Sequence, residues 1–197
     1  YLQAESEVAA INMVYGAAGA GARVMTTSSS PGISLMAEGI SYLIGCELPC
    51  VIVNMVRGGP GLGNIAPSQG DYWLATRGGG HGDGRPLVFA PYSVQELYDM
   101  TGGAFEIAER YRNPVMILGD AVLATMVESC RVRPVPDAPR ASDHSWTLGS
   151  GLAGRERRIV NSLLSDPVDL EKLNLRLEAR YAEAAERETR WQEYGAD

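Results

Sequence analysis

Four short apolar runs, at 24–27, 51–55, 87–90 and 115–118, alternate with longer segments of helical period through the first 120 residues. That alternation restricts the fold more than any other feature of the chain. Runs this short, with few polar interruptions and glycine or proline nearby, suit strands buried on both faces, and the lengths between them suit crossover helices. The expectation is an α/β fold with a mainly parallel sheet and helices on both faces. Residues 1–3 read as the end of a further strand. Helices are expected at about 7–18, 31–44, 68–76 and 94–111. Ser30 is placed to cap a helix whose first residue is Pro31, and Ser93 with Glu96 forms a capping-box pattern that satisfies otherwise orphaned amides.

Proline and arginine crowd 133–140, so regular structure should lapse there. Asp166 and Pro167 look like the cap and first residue of a long helix ending near Tyr194. Along it Leu170, Leu173, Leu177, Tyr181, Ala184 and Trp191 recur at helical spacing, giving one apolar stripe on a charged rod. Such a helix packs on its own domain or reaches across a partner subunit. The expected division is a domain at 1–130, an irregular linker at 131–165 and the amphipathic helix at 166–197.

Composition narrows the function classes. A chain of 197 residues, 45% hydrophobic and 21% charged, is long enough for one substantial core. Its formal charge of -7 repels nucleic acid and anionic membranes, and no apolar run nears the roughly 20 residues of a membrane-spanning helix. Three cysteines, Cys46, Cys50 and Cys130, fit neither a disulfide framework nor a metal-ligand spacing. Cys46 and Cys50 read as small apolar core residues, in keeping with a reducing cytoplasm. The chain starts at Tyr1 with no signal-like segment, which suggests a truncated product lacking upstream motifs.

Several binding-loop fragments fail on context. Gly16, Gly19 and Gly21 follow a helix and precede a strand, whereas a dinucleotide loop turns from strand into helix, so the cluster reads as a helix stop. Gly82, Asp83 and Gly84 match the start of the metal and diphosphate motif of thiamine enzymes, but only Asn113 is available as its later asparagine. The metal-binding half of such a site is therefore expected elsewhere. His81 and His144 are too few to build a metal centre with Asp83, and a polar loop is expected there. Ser28, Ser29 and Ser30 lack a Gly-x-Ser-x-Gly elbow, although a hydrolase using Ser29 and His81 stays as a distant alternative. Lys172, the only lysine, sits in the C-terminal helix, which disfavours Schiff-base chemistry.

What survives gathers at the C-terminal ends of the strands, where open parallel sheets bind ligands. Glu5-Ser6-Glu7-Val8-Ala9-Ala10 puts carboxylates at an expected strand-to-helix junction, followed by small and apolar residues that would bury one of them. Thr27-Ser28-Ser29-Ser30-Pro31-Gly32 follows one strand, and Arg57-Gly58-Gly59-Pro60-Gly61 the next. Arg57 brings a rigid fork suited to a carboxylate.

With Arg112-Asn113-Pro114-Val115, these segments stand in the order and at the spacing that resemble the pyrimidine-binding subunit of 2-oxoacid:ferredoxin oxidoreductases. The resemblance runs from Glu5 to about Glu128. The continuation, with Gly154-Arg155-Glu156 and Asn174-Leu175-Arg176-Leu177, is similar to the branched-chain members, 2-oxoglutarate members coming next. It implies a thiamine diphosphate-binding fold with the cofactor shared with a separate diphosphate-binding subunit. Glu7 would bond N1′ of the aminopyrimidine and favour the imino tautomer that generates the ylid. Arg57 would hold the substrate carboxylate, with Ser29 and Ser30 lining the cavity, and Ser30 and Gly32 would border the cofactor.

The implied reaction is oxidative decarboxylation of a 2-oxoacid to acyl-coenzyme A. Mg2+ and iron–sulfur clusters would sit on partner subunits, among them a ferredoxin-like and a gamma-type chain. The family's Tyr-Pro-Ile-Thr-Pro substrate motif and its downstream domain are absent from the sequence. A non-catalytic assembly subunit with the same fold is the alternative.

Overall fold

The computed structural model describes residues 1–78, 80–134, 145–148, 158–191 and 193. Two compact units emerge, Tyr1–Leu163 and Leu164–Asp197. In the first, the order is α1 (Glu7–Gly19), β1 (Met25–Ser28), α2 (Ser30–Gly45), β2 (Val51–Val56), α3 (Tyr72–Arg77), β3 (Leu87–Phe89), α4 (Val94–Tyr111), β4 (Val115–Asp120) and α5 (Ala121–Thr125). The strands form one parallel sheet in the order β1-β2-β4-β3, with Val51 beside both Met25 and Val115. The α/β class and parallel sheet match the sequence expectation. Residues 1–3 do not: they are exposed and lie outside the sheet, so Glu7 enters its helix from irregular chain.

Alternation along β2 explains the two helical layers. Val51, Val53 and Met55 share a cluster with Ala104, Ala108, Val115 and Ile117, which fixes α4 on one face. Ile52 and Val56 are equally buried, and Asn54 between them reaches the start of α2. Each fully buried valine or isoleucine is worth about 1.5–3 kcal/mol, which outweighs anything a surface ion pair adds.

The helix ends follow local chemistry. Ser93 Oγ accepts from the Glu96 amide at 3.2 Å, while the Glu96 carboxylate accepts from Tyr92 N at 3.0 Å, one residue earlier than the standard reciprocal box. Helix α1 stops at Gly19, and Gly21 takes a φ of 91° that L side chains rarely adopt, as expected of a glycine stop. The expected helix at 68–76 is shorter, because Gly70 N bonds the Ser68 hydroxyl in a turn and α3 starts only after Asp71.

Helices α1 and α2 cross unusually closely. A Cβ on Gly39 would lie 2.5 and 2.7 Å from two carbons of the buried Ile11 side chain. Two turns earlier on α2, a Cβ on Gly32 would overlap the Ser28 hydroxyl and come within 3.0 Å of Glu7 Oε1. Glu7 and Ile11, one turn apart on α1, therefore fit over two glycines of α2.

In the second unit α6 (Pro167–Glu188) is capped by Asp166, whose carboxylate accepts from Val168 N at 2.9 Å, with Pro167 next. Leu173, Leu177, Tyr181 and Ala184 fall on one face of it by their spacing. Trp191 lies past its end. His144, Gly154-Arg155-Glu156, Tyr194 and most of the proline- and arginine-rich stretch lie outside the described residues. No helix among the described residues is long and apolar enough to cross a membrane.

Cys46 and Cys50 are buried, as their apolar reading requires, and Cys130 is partly exposed. Burial pushes the Cys50 thiol up to about 12 and raises Cys46 as well. At pH 8 a disulfide reagent should titrate Cys130 quickly and reach the other two only after denaturation; rapid reaction of all three would contradict the packing. Gly39→Ala should destabilise the fold by about 1–3 kcal/mol in a denaturant titration, as overpacking does. Gly16→Ala in α1, where an added Cβ meets nothing within 4 Å, should stabilise it by roughly 0.5–1 kcal/mol.

Candidate active site

The expected residues converge on the first turn of α2. Glu7 is the first residue of α1, behind an N-cap in which the Ser6 hydroxyl accepts from Ala9 N at 3.2 Å. The positive end of the helix favours negative charge there. The side chain is half-buried beside Gly32 and Ser28, and among the described residues its carboxylate has no hydrogen-bond or ion-pair partner. A polar group in that position is available to a ligand. Gly32 lets Ser28 and Glu7 pack directly against α2: a Cβ there would overlap the Ser28 hydroxyl oxygen and lie 3.0 Å from Glu7 Oε1.

Arg57 leaves β2 and bends back over the same turn. Its Nε donates to the Ser29 hydroxyl at 3.1 Å and its Nη1 to the Leu62 carbonyl at 2.8 Å. Its backbone N donates to Ser30 Oγ at 3.1 Å, and that hydroxyl donates to the Arg57 carbonyl at 3.4 Å. No bond to Nη2 is found among the described residues, so one arm of the fork is free for an anion. The loop that carries Leu62 is built on tight turns: Gly63 has a φ of 63°, and a Cβ there would run into the Gly58 carbonyl. Leu62 and Ile65 stand exposed on this loop.

The serines differ from expectation. The cap position of α2 is Ser29 and not Ser30; Ser30 is already the first helical residue, and Pro31 the second. Ser29 makes no side-chain cap bond, because its hydroxyl accepts from Arg57 instead. Ser30 is buried and its hydroxyl is committed to both backbone groups of Arg57, which leaves it holding the arginine.

The residues set aside earlier also find places. His81 is exposed, and its carbonyl accepts from the Ser41 hydroxyl at 3.2 Å. Asn113 is buried and donates to the Arg85 and Pro114 carbonyls at 3.0 Å, clamping the start of β4, the sheet end away from Arg57. Among the described residues no group of three or more His, Cys, Asp or Glu could hold a metal ion.

Sequence reading missed Asn54 and Asp71. Asn54 is fully buried, accepts from Ser30 N at 3.1 Å and donates to Asp71 Oδ2 at 3.0 Å. The signal was a single amide inside the otherwise apolar Val51-Ile52-Val53-Asn54-Met55-Val56, since a buried polar side chain needs partners.

Comparison with known proteins places this geometry. Residues 1–149 match the family model described as pyruvate flavodoxin/ferredoxin oxidoreductase, thiamine diphosphate-binding. The chain is 53% identical over its whole length to the ketoisovalerate oxidoreductase subunit VorB of Methanothermobacter thermautotrophicus, covering 55% of that protein. It is 39% identical over 92% of its length to the 2-oxoglutarate synthase subunit KorA of Archaeoglobus fulgidus, covering 53% of it. The chain thus spans about half the length of these relatives. A solved 2-oxoglutarate:ferredoxin oxidoreductase from Magnetococcus marinus, with 2-oxoglutarate, coenzyme A and succinyl-CoA bound, superposes on all of this chain and 39% of its own, with a TM-score of 0.81 and 26% identity.

Proposed function

The chain belongs to the pyruvate flavodoxin/ferredoxin oxidoreductase family through its thiamine diphosphate-binding domain, and from that membership we propose that it supplies the pyrimidine half of a thiamine diphosphate site in a 2-oxoacid:ferredoxin oxidoreductase. The observation that carries the reading is the half-buried Glu7 carboxylate, packed against Gly32 and without a hydrogen-bond or ion-pair partner among the described residues.

A carboxyl without a protein partner among the described residues, beside the C-terminal end of β1, suits a ligand that carries a ring nitrogen. When bound, thiamine diphosphate supplies the nucleophilic carbon that 2-oxoacid decarboxylation requires. Glu7 would hold a proton at N1′ of the aminopyrimidine, acid–base work by a positioned carboxyl that is typically worth 10²–10⁴-fold. It extends from the N-terminus of α1 against α2, beside Gly32.

Arg57 would receive the substrate carboxylate on its free arm. With Nε and Nη1 already bound to Ser29 and Leu62, the guanidinium plane is set before substrate arrives, so little ordering remains to be done on binding. Ser29 borders the same space, and Ser30 positions Arg57 from behind. The substrate we propose is a branched aliphatic 2-oxoacid, and Leu62 and Ile65 stand exposed on the loop that follows Arg57. The 53% identity to a ketoisovalerate oxidoreductase subunit, against 39% to a 2-oxoglutarate synthase subunit, supports the same choice.

The diphosphate, Mg2+ and iron–sulfur clusters would be held by partner subunits: a diphosphate-binding chain, a ferredoxin-like chain and a gamma-type chain. Coenzyme A would accept the acyl group and ferredoxin the electrons, in a cytoplasmic complex.

The full-length subunit, assembled with its partners, should reduce a viologen dye in the presence of a branched-chain 2-oxoacid and coenzyme A. Glu7→Ala should lower that rate by about 100-fold or more; retention of most activity would remove Glu7 from the chemistry. Arg57→Lys, which loses the planar fork, should raise KM for the 2-oxoacid by about tenfold, and an unchanged KM would contradict the carboxylate role.

A further inference from the structure

Two helix starts beside the candidate site forgo the cap bond their residues are suited to make. Ser29 stands at the cap position of α2 and Asp71 at that of α3, yet neither side chain bonds its own helix. Losing such a bond typically costs about tenfold in a local equilibrium. Ser29 accepts instead from Arg57, and Asp71 from the buried amide of Asn54.

Asn54 joins the two. Its Oδ1 accepts from Ser30 N, and its Nδ2 donates to Asp71 Oδ2. An ionised carboxylate only accepts and a backbone amide only donates, so the amide has one allowed orientation. Turned over, it would face donor with donor and acceptor with acceptor. Because the residue is fully buried, an unpaired end could find no water. Ser30 then passes the constraint on, since its hydroxyl bonds both backbone groups of Arg57.

We propose that Asn54, oriented by Asp71, is a positioning residue for Arg57: through Ser30 it holds the Arg57 backbone, and so the base of the side chain that receives the 2-oxoacid carboxylate. The inference rests on the substrate role given to Arg57. It adds two residues to the specificity apparatus, neither of which touches substrate.

The test uses the full-length subunit in its assembled complex and reads KM for the 2-oxoacid alongside the half-saturating concentration of thiamine diphosphate. Asn54→Ala should raise the KM about tenfold, as expected for a lost buried hydrogen bond, and leave cofactor saturation unchanged. Asp71→Ala should act in the same direction by a smaller factor. Asn54→Asp sets two carboxylates face to face and should also raise KM. Adding Asp71→Asn restores the donor–acceptor order and should bring KM back toward the starting value. In an Arg57→Ala background, Asn54→Ala should add nothing, because the residue it positions is gone.

If Arg57→Ala itself left KM unchanged, the role of Arg57 would fall first. If Arg57→Ala raised KM but the Asn54 and Asp71 variants did not, or if the effects simply added, the positioning role would be overturned. Should Asn54→Ala not assemble, the Asp71 variants and the exchanged pair decide the matter.

Discussion

The approach of α1 to α2 over two glycines is the contact on which the site depends. Gly39 lets Ile11 in and Gly32 makes room for Glu7 two turns away, so one helix pairing sets both the core and the place of the carboxylate. Side chains on α2 at these positions would push α1 outward and carry Glu7 with it. The energy that holds the pair comes from buried apolar surface, with Ile11, Val14 and Ala18 on one helix and Ile33, Met36 and Ile40 on the other. Chemistry at the rim is thereby supported by packing beneath it.

A second set of constraints is polar and runs from β2. Asp71, Asn54, Ser30, Arg57 and Ser29 are joined by bonds of 3.0–3.4 Å at the C-terminal edge of the sheet. In water such bonds would contribute little each. Around a buried amide they gain directional force, because every group has one partner that fits it. The two sets meet on the first turn of α2, and this turn presents both an unpaired carboxylate and a half-occupied guanidinium.

Much of the fold was legible because it rests on local patterns. The four apolar runs became the four strands with ends shifted by a residue or two, and α1, α2 and α4 start within a residue of their expected positions. Residues 1–3 were misleading because three residues give too little pattern to tell a strand from irregular chain, and they stay off the open edge of β1. The start of α3 was misjudged since Ser68 and Gly70 close a turn where the spacing suggested a helix, and the cap position falls to Asp71. Within the site, Glu7, Arg57, Ser29 and Gly32 were identified by motif order, and the structure gathers them around one helix turn. Ser30 was expected as a cap or a cavity residue; its hydroxyl faces Arg57 for reasons visible only once β2 and α2 are side by side. Asn54 was passed over because one asparagine among valines and isoleucines still reads as a strand.

The central claim is that the Glu7 carboxyl meets N1′ of an aminopyrimidine ring. The most direct measurement is exchange of the C2 proton of bound thiamine diphosphate with deuterium, followed by quenched-flow NMR in the assembled enzyme and in its Glu7→Gln variant. The account predicts that the variant still binds the cofactor but exchanges that proton about 100-fold more slowly. An unchanged rate in a fully loaded variant would contradict it.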